Sequence, residues 1–314
     1  MKARPAAIGY RPRPVLTAAL LAAGCAVMLA VDRGTVFLIT ELLIWVLFAV
    51  SVNLLLTYAR LISFGQAAYF GLGAYGFALS IWWLDLPLVG GLIAGPVLAT
   101  VIAFVFGALC VRLTRIYFAM LTLACAQVVF TVIFKWYNVT GGDSGLTGFA
   151  PSRLGLPAEW FGILVLAVVV AGIHAMWWMV NAPIGLAIRS VGDNAVRATT
   201  LGYSRKFVQL VAFTISGFWA GVAGTLFAAM QGAVFADYAD VEVTLDGLIM
   251  VILGGLGSFA GPIYGAVVYK LVDTLASQYI AMWELAIGVV LLLVIFMSPA
   301  GLDGLVRRML RRPG

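Results

Sequence analysis

The sequence predicts an all-α protein, a polytopic bundle of transmembrane helices, and three observations predict it. Hydrophobic residues make up 63% of the 314 and charged ones only 10%, with a mean hydropathy of +1.08. A soluble chain of this length needs more polar groups to cover its own surface. Several apolar runs reach the roughly 20 residues that a helix needs to cross a hydrocarbon core. Basic residues gather at the ends of those runs, which is a topology signal.

The spans are read in order as follows. Lys2, Arg4, Arg11 and Arg13 precede Val15–Val31. That start resembles a signal peptide, and "LAAGC" at Leu21–Cys25 hints at a lipoprotein cleavage site. The apolar run continues to Val31 and more spans follow, so it reads as a retained first span. Val36–Tyr58 is second and is followed by Arg60. Ser63–Trp82 is third, glycine-rich and carrying Gln66. Leu88–Val111 ends at Arg112 and Arg115. Tyr117–Trp136 and Trp160–Val180 flank an extracytoplasmic loop at 137–159. Phe207–Gln231 follows a long polar gap. Leu245–Gly257, Pro262–Tyr279 and Met282–Met297 complete the set.

Ten crossings place Arg60, Arg112, Arg115, Arg189, Arg197, Arg205, Lys206 and the tail Arg307, Arg308, Arg311 and Arg312 on one side. That side is then cytoplasmic, with both termini on it. Asp32, Asp85, Asp143, Glu159, Asp237, Asp240 and Glu242 fall opposite. The third and eighth segments are the weakest. Eight crossings, with both of them re-entrant, preserve the same parity, so the expected range is 8–10. The whole of 1–314 reads as one transmembrane domain.

Composition also removes function classes. The net charge of +6 is accounted for by span-end basic residues and not by a nucleic-acid patch. Cys25, Cys110 and Cys125 lie in apolar runs and read as small core residues. His174 is the only histidine, so a metal site is not expected. No HExxH, Walker motif or nucleophile constellation appears, so neither catalytic residues nor a cofactor are expected. Polar groups within spans are Asn53, Thr122, Gln127, Thr131, His174, Ser216, and the pair Lys270 and Asp273. The last two can neutralise each other on one helix face. No chain of carboxylates suggests a proton relay.

Four segments stand out. In "SFGQAAYFGLGAYGFAL", Ser63–Leu79, Ala67, Gly71, Ala74 and Ala78 follow spacings of 4, 3 and 4. They form a small-residue stripe that lets another helix approach closely in lipid. Ser63 and Gln66 are expected near the cytoplasmic end, satisfied by water or backbone. A packed internal helix and a pathway-lining or broken helix both fit. In "LIMVILGGLGSFAGPIYGAVV", Leu248–Val268, the residues Gly254, Gly255, Gly257, Gly261 and Pro262 interrupt one long apolar run. Interrupted segments in both halves point to a transport pathway between repeats. Ser63-Phe64-Gly65 and Ser258-Phe259-Ala260 are faintly alike. "YNVTGGDSGLTGFAP", Tyr137–Pro151, is a turn-rich loop or a docking surface at the outer mouth. Within Asn181–Lys206, Asp193-Asn194 caps a short helix through Arg197, Ala198 and Leu201 that Gly202 ends. Val196 and Leu201 look buried, either on lipid or in a partner.

On these residues the chain resembles the permease subunit of branched-chain amino acid ABC importers, of the LivM type. The carrying motifs are "ISFGQAAYFGLGAYGFAL", "YFAMLTLACAQVVF" with "VTGGDSGLTG", "GLAIRSVGDNAVRATTLGY" and "LIMVILGGLGSFAGPIYGAVV". The resemblance implies a type II-like importer permease fold of about ten helices in the bacterial inner membrane. It implies a second permease of the LivH type, two cytoplasmic ATPase subunits that use the ATP, and a periplasmic binding protein. It assigns the loop 181–206 to ATPase coupling, through Gly192, Asp193, Asn194, Arg197, Ala198, Leu201 and Gly202. Of the broader "EAA…G" importer motif, only Ala198 and Gly202 match. Ser63, Gln66, Gly71, Thr122, Gln127, Gly254, Gly255 and Gly257 become the expected pathway residues. Related permeases carry urea, short amides or sugars, so cargo stays open. A channel or secondary transporter lacks a coupling cluster here, and a purely structural subunit leaves the glycine breaks without a purpose.

Overall fold

The computed structural model describes residues 31–149, 157–279 and 301–304, with isolated positions 24, 25, 28, 285, 288 and 292. The expected spans Val15–Val31 and Met282–Met297, and both termini, lie largely or wholly outside the described residues. The expected bundle is present. Helix α1, Arg33–Asn53, starts where the Asp32 carboxylate accepts from Thr35 N and from its hydroxyl. It continues as a π-helical turn, Leu54–Ala59, and stops at Arg60, whose φ of 51° is left-handed. Then come α2, Gln66–Leu84, α3, Leu88–Cys110, and α4, Arg115–Lys135. A short α5, Tyr137–Thr140, leads to a two-residue strand β1, Leu146–Thr147.

The second half opens with α6, Ala158–Asn181, then α7, Pro183–Asp193, and α8, Ala195–Thr200. The long α9, Arg205–Gln231, leads to strand β2, Ala233–Val234, antiparallel to β1. A 3₁₀ turn, Ala236–Ala239, precedes α10, Val241–Gly254, and α11, Gly261–Tyr279. Six helices among the described residues are long and apolar enough to cross a membrane: α1 with its π turn, α2, α3, α4, α6 and α9.

The centre of the bundle is the triple contact of α2, α3 and α9, and glycine makes it possible. A Cβ on Gly73 would overlap the Gly221 carbonyl, and one on Gly224 would overlap the Phe70 carbonyl. Thr225 Oγ1 donates to Gly73 O at 2.9 Å across the same contact. Lipid supplies no hydrophobic drive between helices, so backbone approach of this kind provides the attraction. The expected stripe is buried but faces elsewhere. Gly71 meets Ala239 of the 3₁₀ turn, and Ala67 N donates to Thr244 of α10. The row at Gly73 and Gly76, unremarked in the sequence, is the one that admits α9 and α3.

Two helices begin inside the bundle, which corrects two expected spans. Residues 60–65 are non-helical, so the third segment starts at Gln66 and not at Ser63. The Gln66 side chain lies beside Ser216, 11 residues into α9, or ~16 Å along its ~40 Å axis. The expected eighth span is α10, 14 residues and ~21 Å, too short to cross alone. Thr244, in its first turn, bonds to Phe64 and Ala67, so α10 also starts near mid-depth.

Candidate translocation pathway and coupling surface

The starts of α2 and α10 meet in a fully buried polar junction. Phe64 N donates to Thr122 Oγ1 at 3.2 Å, and Thr122 Oγ1 donates to Ala119 O. Thr244 Oγ1 accepts from Ala67 N at 2.8 Å and donates to Phe64 O at 3.3 Å. Ser63 Oγ accepts from Gly65 N. Two threonines thus hold the backbone of the unwound stretch from both sides, as an unwound chain at membrane depth requires. Ser216 Oγ donates to Ser51 O at 2.7 Å and lies 3.4 Å from Gln66 Oε1. Gln66 Nε2 is buried without a partner among the described residues.

This geometry corrects the expected depth of Ser63 and Gln66: both are buried inside the bundle, away from the Arg205 end, while Ser63 is satisfied by backbone as expected. Of the amides at the α2 start, Phe64 N, Gly65 N and Ala67 N are taken by protein hydroxyls. Of the expected pathway residues, Ser63, Gln66 and Thr122 come together here. Gly71 lies about 8 Å further along α2, against Ala239. Gln127 is exposed on α4 and does not join the junction.

The glycine break between α10 and α11 is a backbone-to-backbone contact. A Cβ on Gly254 would overlap the Gly261 carbonyl, and one on Gly265 would overlap Met250 O. Gly255 and Gly257 have φ of 111° and 95°, which side-chain-bearing residues rarely adopt. Asn53 Nδ2 donates to Ser258 O at 3.2 Å and pins the break to the end of α1. The faint likeness of the two Ser-Phe stretches has a local counterpart. Ser258 Oγ accepts from Gly261 N just before α11, as Ser63 Oγ accepts from Gly65 N just before α2.

The Lys270–Asp273 pair forms, at 2.8 Å, but it is part of something larger. Lys270 Nζ also lies 3.1 Å from Glu41 Oε1 and 5.0 Å from the centre of the Trp45 ring. From the adjacent position, the Tyr269 hydroxyl donates to Asp246. Glu41, Asp246 and Asp273 thus surround one lysine, a charge cluster larger than the expected pair. Glu41 had a legible signal, as the one charge in the run Val36–Tyr58.

The loop after α6 folds as two helices at the Arg205 end. Asn194 caps α8 by accepting from Arg197 N at 3.1 Å, and Gly202, at φ 88°, ends that turn. Ala198 is buried, whereas Val196 and Leu201 are 74% and 75% exposed on this chain, free to meet the lipid or partner surface expected for them. Side chains at these positions of a one-and-a-half-turn helix point off the bundle, because Ala198 holds its inner face. Leu186 and Phe207 extend the apolar surface. The loop is moored to the π turn of α1. Arg60 pairs with Asp193 at 2.6 Å, Arg189 donates to Val180 O and stacks 4.9 Å over Tyr58, and a Cβ on Gly192 would crowd the Tyr58 and Ala59 carbonyls.

Six membrane-length helices, a helix pair broken at mid-depth and a projecting apolar loop define a multi-pass helical membrane protein of the transporter kind. The chain belongs to the family described as branched-chain amino acid transport system / permease component, which matches residues 34–297. It is accordingly a transport permease of the inner membrane. It is similar to the high-affinity branched-chain amino acid transport system permease protein LivM of Escherichia coli (strain K12), 27% identical over 326 aligned residues. That match covers 93% of this chain and 75% of the relative, and LivM of Salmonella typhimurium matches to the same extent. The autoinducer 2 import system permease protein LsrC of Klebsiella pneumoniae is 32% identical over 173 residues, 52% of this chain and 46% of that one. No solved structure matches the chain.

Proposed function

We propose that this chain is one of two permeases of an ABC importer for branched-chain or other hydrophobic amino acids. Its companion is a permease of the LivH type. Two cytoplasmic ATPase subunits drive the pair and a binding protein delivers the cargo. The chain has no nucleotide site of its own and takes no cofactor or metal. The Arg205 end is the cytoplasmic one, with both termini on that side, on the positive-inside rule.

The observation that carries the reading is the pair α7–α8. It presents Val196 and Leu201 outward while Arg60, Tyr58 and Gly192 fasten it to the π turn. An apolar surface on a capped, anchored helix suits a partner that pushes on it. The same π turn runs directly into residues 60–65, which Thr122 and Thr244 clasp. A push on α8 therefore has a continuous path to the unwound stretch at mid-depth. Rigid rocking of this kind moves a packed bundle between two states.

Co-expression with its partners and reconstitution into proteoliposomes tests the reading. Leucine uptake is expected to require internal ATP, and Leu201→Asp is expected to lose the ATPase subunits on purification. Uptake by the purified chain alone, without nucleotide, would remove the importer assignment. The likeness to LsrC favours a second reading, in which the same machine imports a small polar solute. Competition of labelled leucine by such solutes separates the two.

A further inference from the structure

The turn that leads into α10 carries charge where a membrane protein can least tolerate it. Asp237 and Glu242 are exposed and Asp240 is half-exposed, and none forms an ion pair among the described residues. Their depth follows from neighbours already described. Ala239 packs on Gly71, and Thr244 bonds to Ala67, both on α2 and near the middle of the ~40 Å bundle. A carboxylate facing acyl chains at this depth is strongly disfavoured, so an exposed one faces water or a polar partner. The cation that acts on this region, Lys270, is already bracketed by Glu41 and Asp273. Asp246 also lies within its electrostatic reach, so among the described residues Lys270 already serves three carboxylates.

A second observation points into the same place. The Tyr75 side chain is 2% exposed, and its hydroxyl is buried without a partner among the described residues. It lies within electrostatic range of Asp237 and of the Tyr238 hydroxyl. Next to it, Tyr238 packs edge-on against Phe227 at 5.1 Å, Phe235 at 6.0 Å and Phe70 at 6.4 Å. Excess negative charge, a hydroxyl oxygen free to accept and an aromatic wall suit a ligand with an ammonium head and an apolar body.

We propose that the turn Asp237–Glu242 is where the pathway takes the ammonium group of its cargo, with the Tyr75 hydroxyl as a neutral partner. This rests on the reading of the chain as a pathway-forming permease. It implies that cargo crosses as a zwitterion or cation and that an anion lacking the amine is rejected here.

The test uses the assembled transporter in proteoliposomes, with a reporter cysteine at Leu245. That residue is 41% exposed and three positions after Glu242, so it shares its helix face. Labelling rates are compared for a cationic and an anionic methanethiosulfonate of similar size. The wild-type chain, with its three native cysteines, gives the background. The cationic reagent is expected to react about tenfold faster or more, as in a charged cleft. Adding Asp237→Asn and Glu242→Gln is expected to erase that preference. Equal rates in the unneutralised protein overturn the proposal and leave the pathway reading standing. No labelling by either reagent, in a complex that still imports, overturns both at this face. Leucine import that persists with external inorganic salts replaced by isosmotic sucrose assigns the cationic group to the cargo. Import that stops assigns it to an inorganic ion and overturns the cargo assignment.

Discussion

Thr244→Val tests the clasp at the middle of the bundle. Valine keeps the shape of threonine but loses the hydroxyl. Thr244 is fully buried, and its Oγ1 serves two backbone groups, accepting from Ala67 N at 2.8 Å and donating to Phe64 O at 3.3 Å. Each group left unpaired in a buried site costs about 1–3 kcal/mol, so the pair costs roughly 2–6 kcal/mol. At ~2–4 °C per kcal/mol for a domain of this size class, the expected loss in melting temperature is on the order of 4–24 °C. Thermal unfolding of the purified complex in detergent, followed by tryptophan fluorescence, measures it. Thr244→Ser restores the hydroxyl and is expected to recover most of the loss. A valine variant that melts within about 1 °C of wild type would show that α2 and α10 are held by packing alone, and the clasp argument would fail.

The other expectations concern separate parts of the bundle. Gly224→Val drives a side chain into the Phe70 carbonyl, and overpacking costs ~1–3 kcal/mol or more. Size-exclusion profiles are expected to show aggregated or unassembled protein, and a monodisperse complex would contradict the close approach. Lys270→Met strands Glu41 and Asp273 in a low-polarity site at a cost of about 3–5 kcal/mol. Pairing it with Glu41→Gln is expected to recover part of the melting temperature, and a strictly additive double variant would break the coupling. Asp193→Asn removes an exposed pair with Arg60, worth at most ~1 kcal/mol, so melting is expected to hold while uptake falls. Full uptake in that variant would detach the loop's mooring from transport.

Local features of this chain are legible in its residues, and contacts between distant segments are not. The α8 cap was legible because capping is local: Asn194 reaches Arg197 N across three residues. The Lys270–Asp273 pair was legible for the same reason, since helical neighbours lie three apart. Glu41 was overlooked although it stands alone in its run, because its partner is more than two hundred residues away in sequence. For Val196 and Leu201, hydrophobicity says that a residue seeks cover, and the structure adds that this chain does not itself supply it. The role of Thr122 and Thr244 depends on two helix starts meeting, and no spacing encodes that meeting.

Sequence alone decided that this chain lives in a membrane, because transfer of apolar side chains depends on composition and run length. It also decided where the helices break, since glycine and proline act on their own backbone. Tertiary structure decided everything that needs two distant segments at one place. It chose the Gly73 row over the Ala67 row as the seat of α9, and it began α2 and α10 at mid-depth. It also turned the Asp237–Glu242 turn outward. Those outcomes depend on which backbones approach closely enough to exclude lipid, and that is a property of the packed bundle, not of any one stretch of chain.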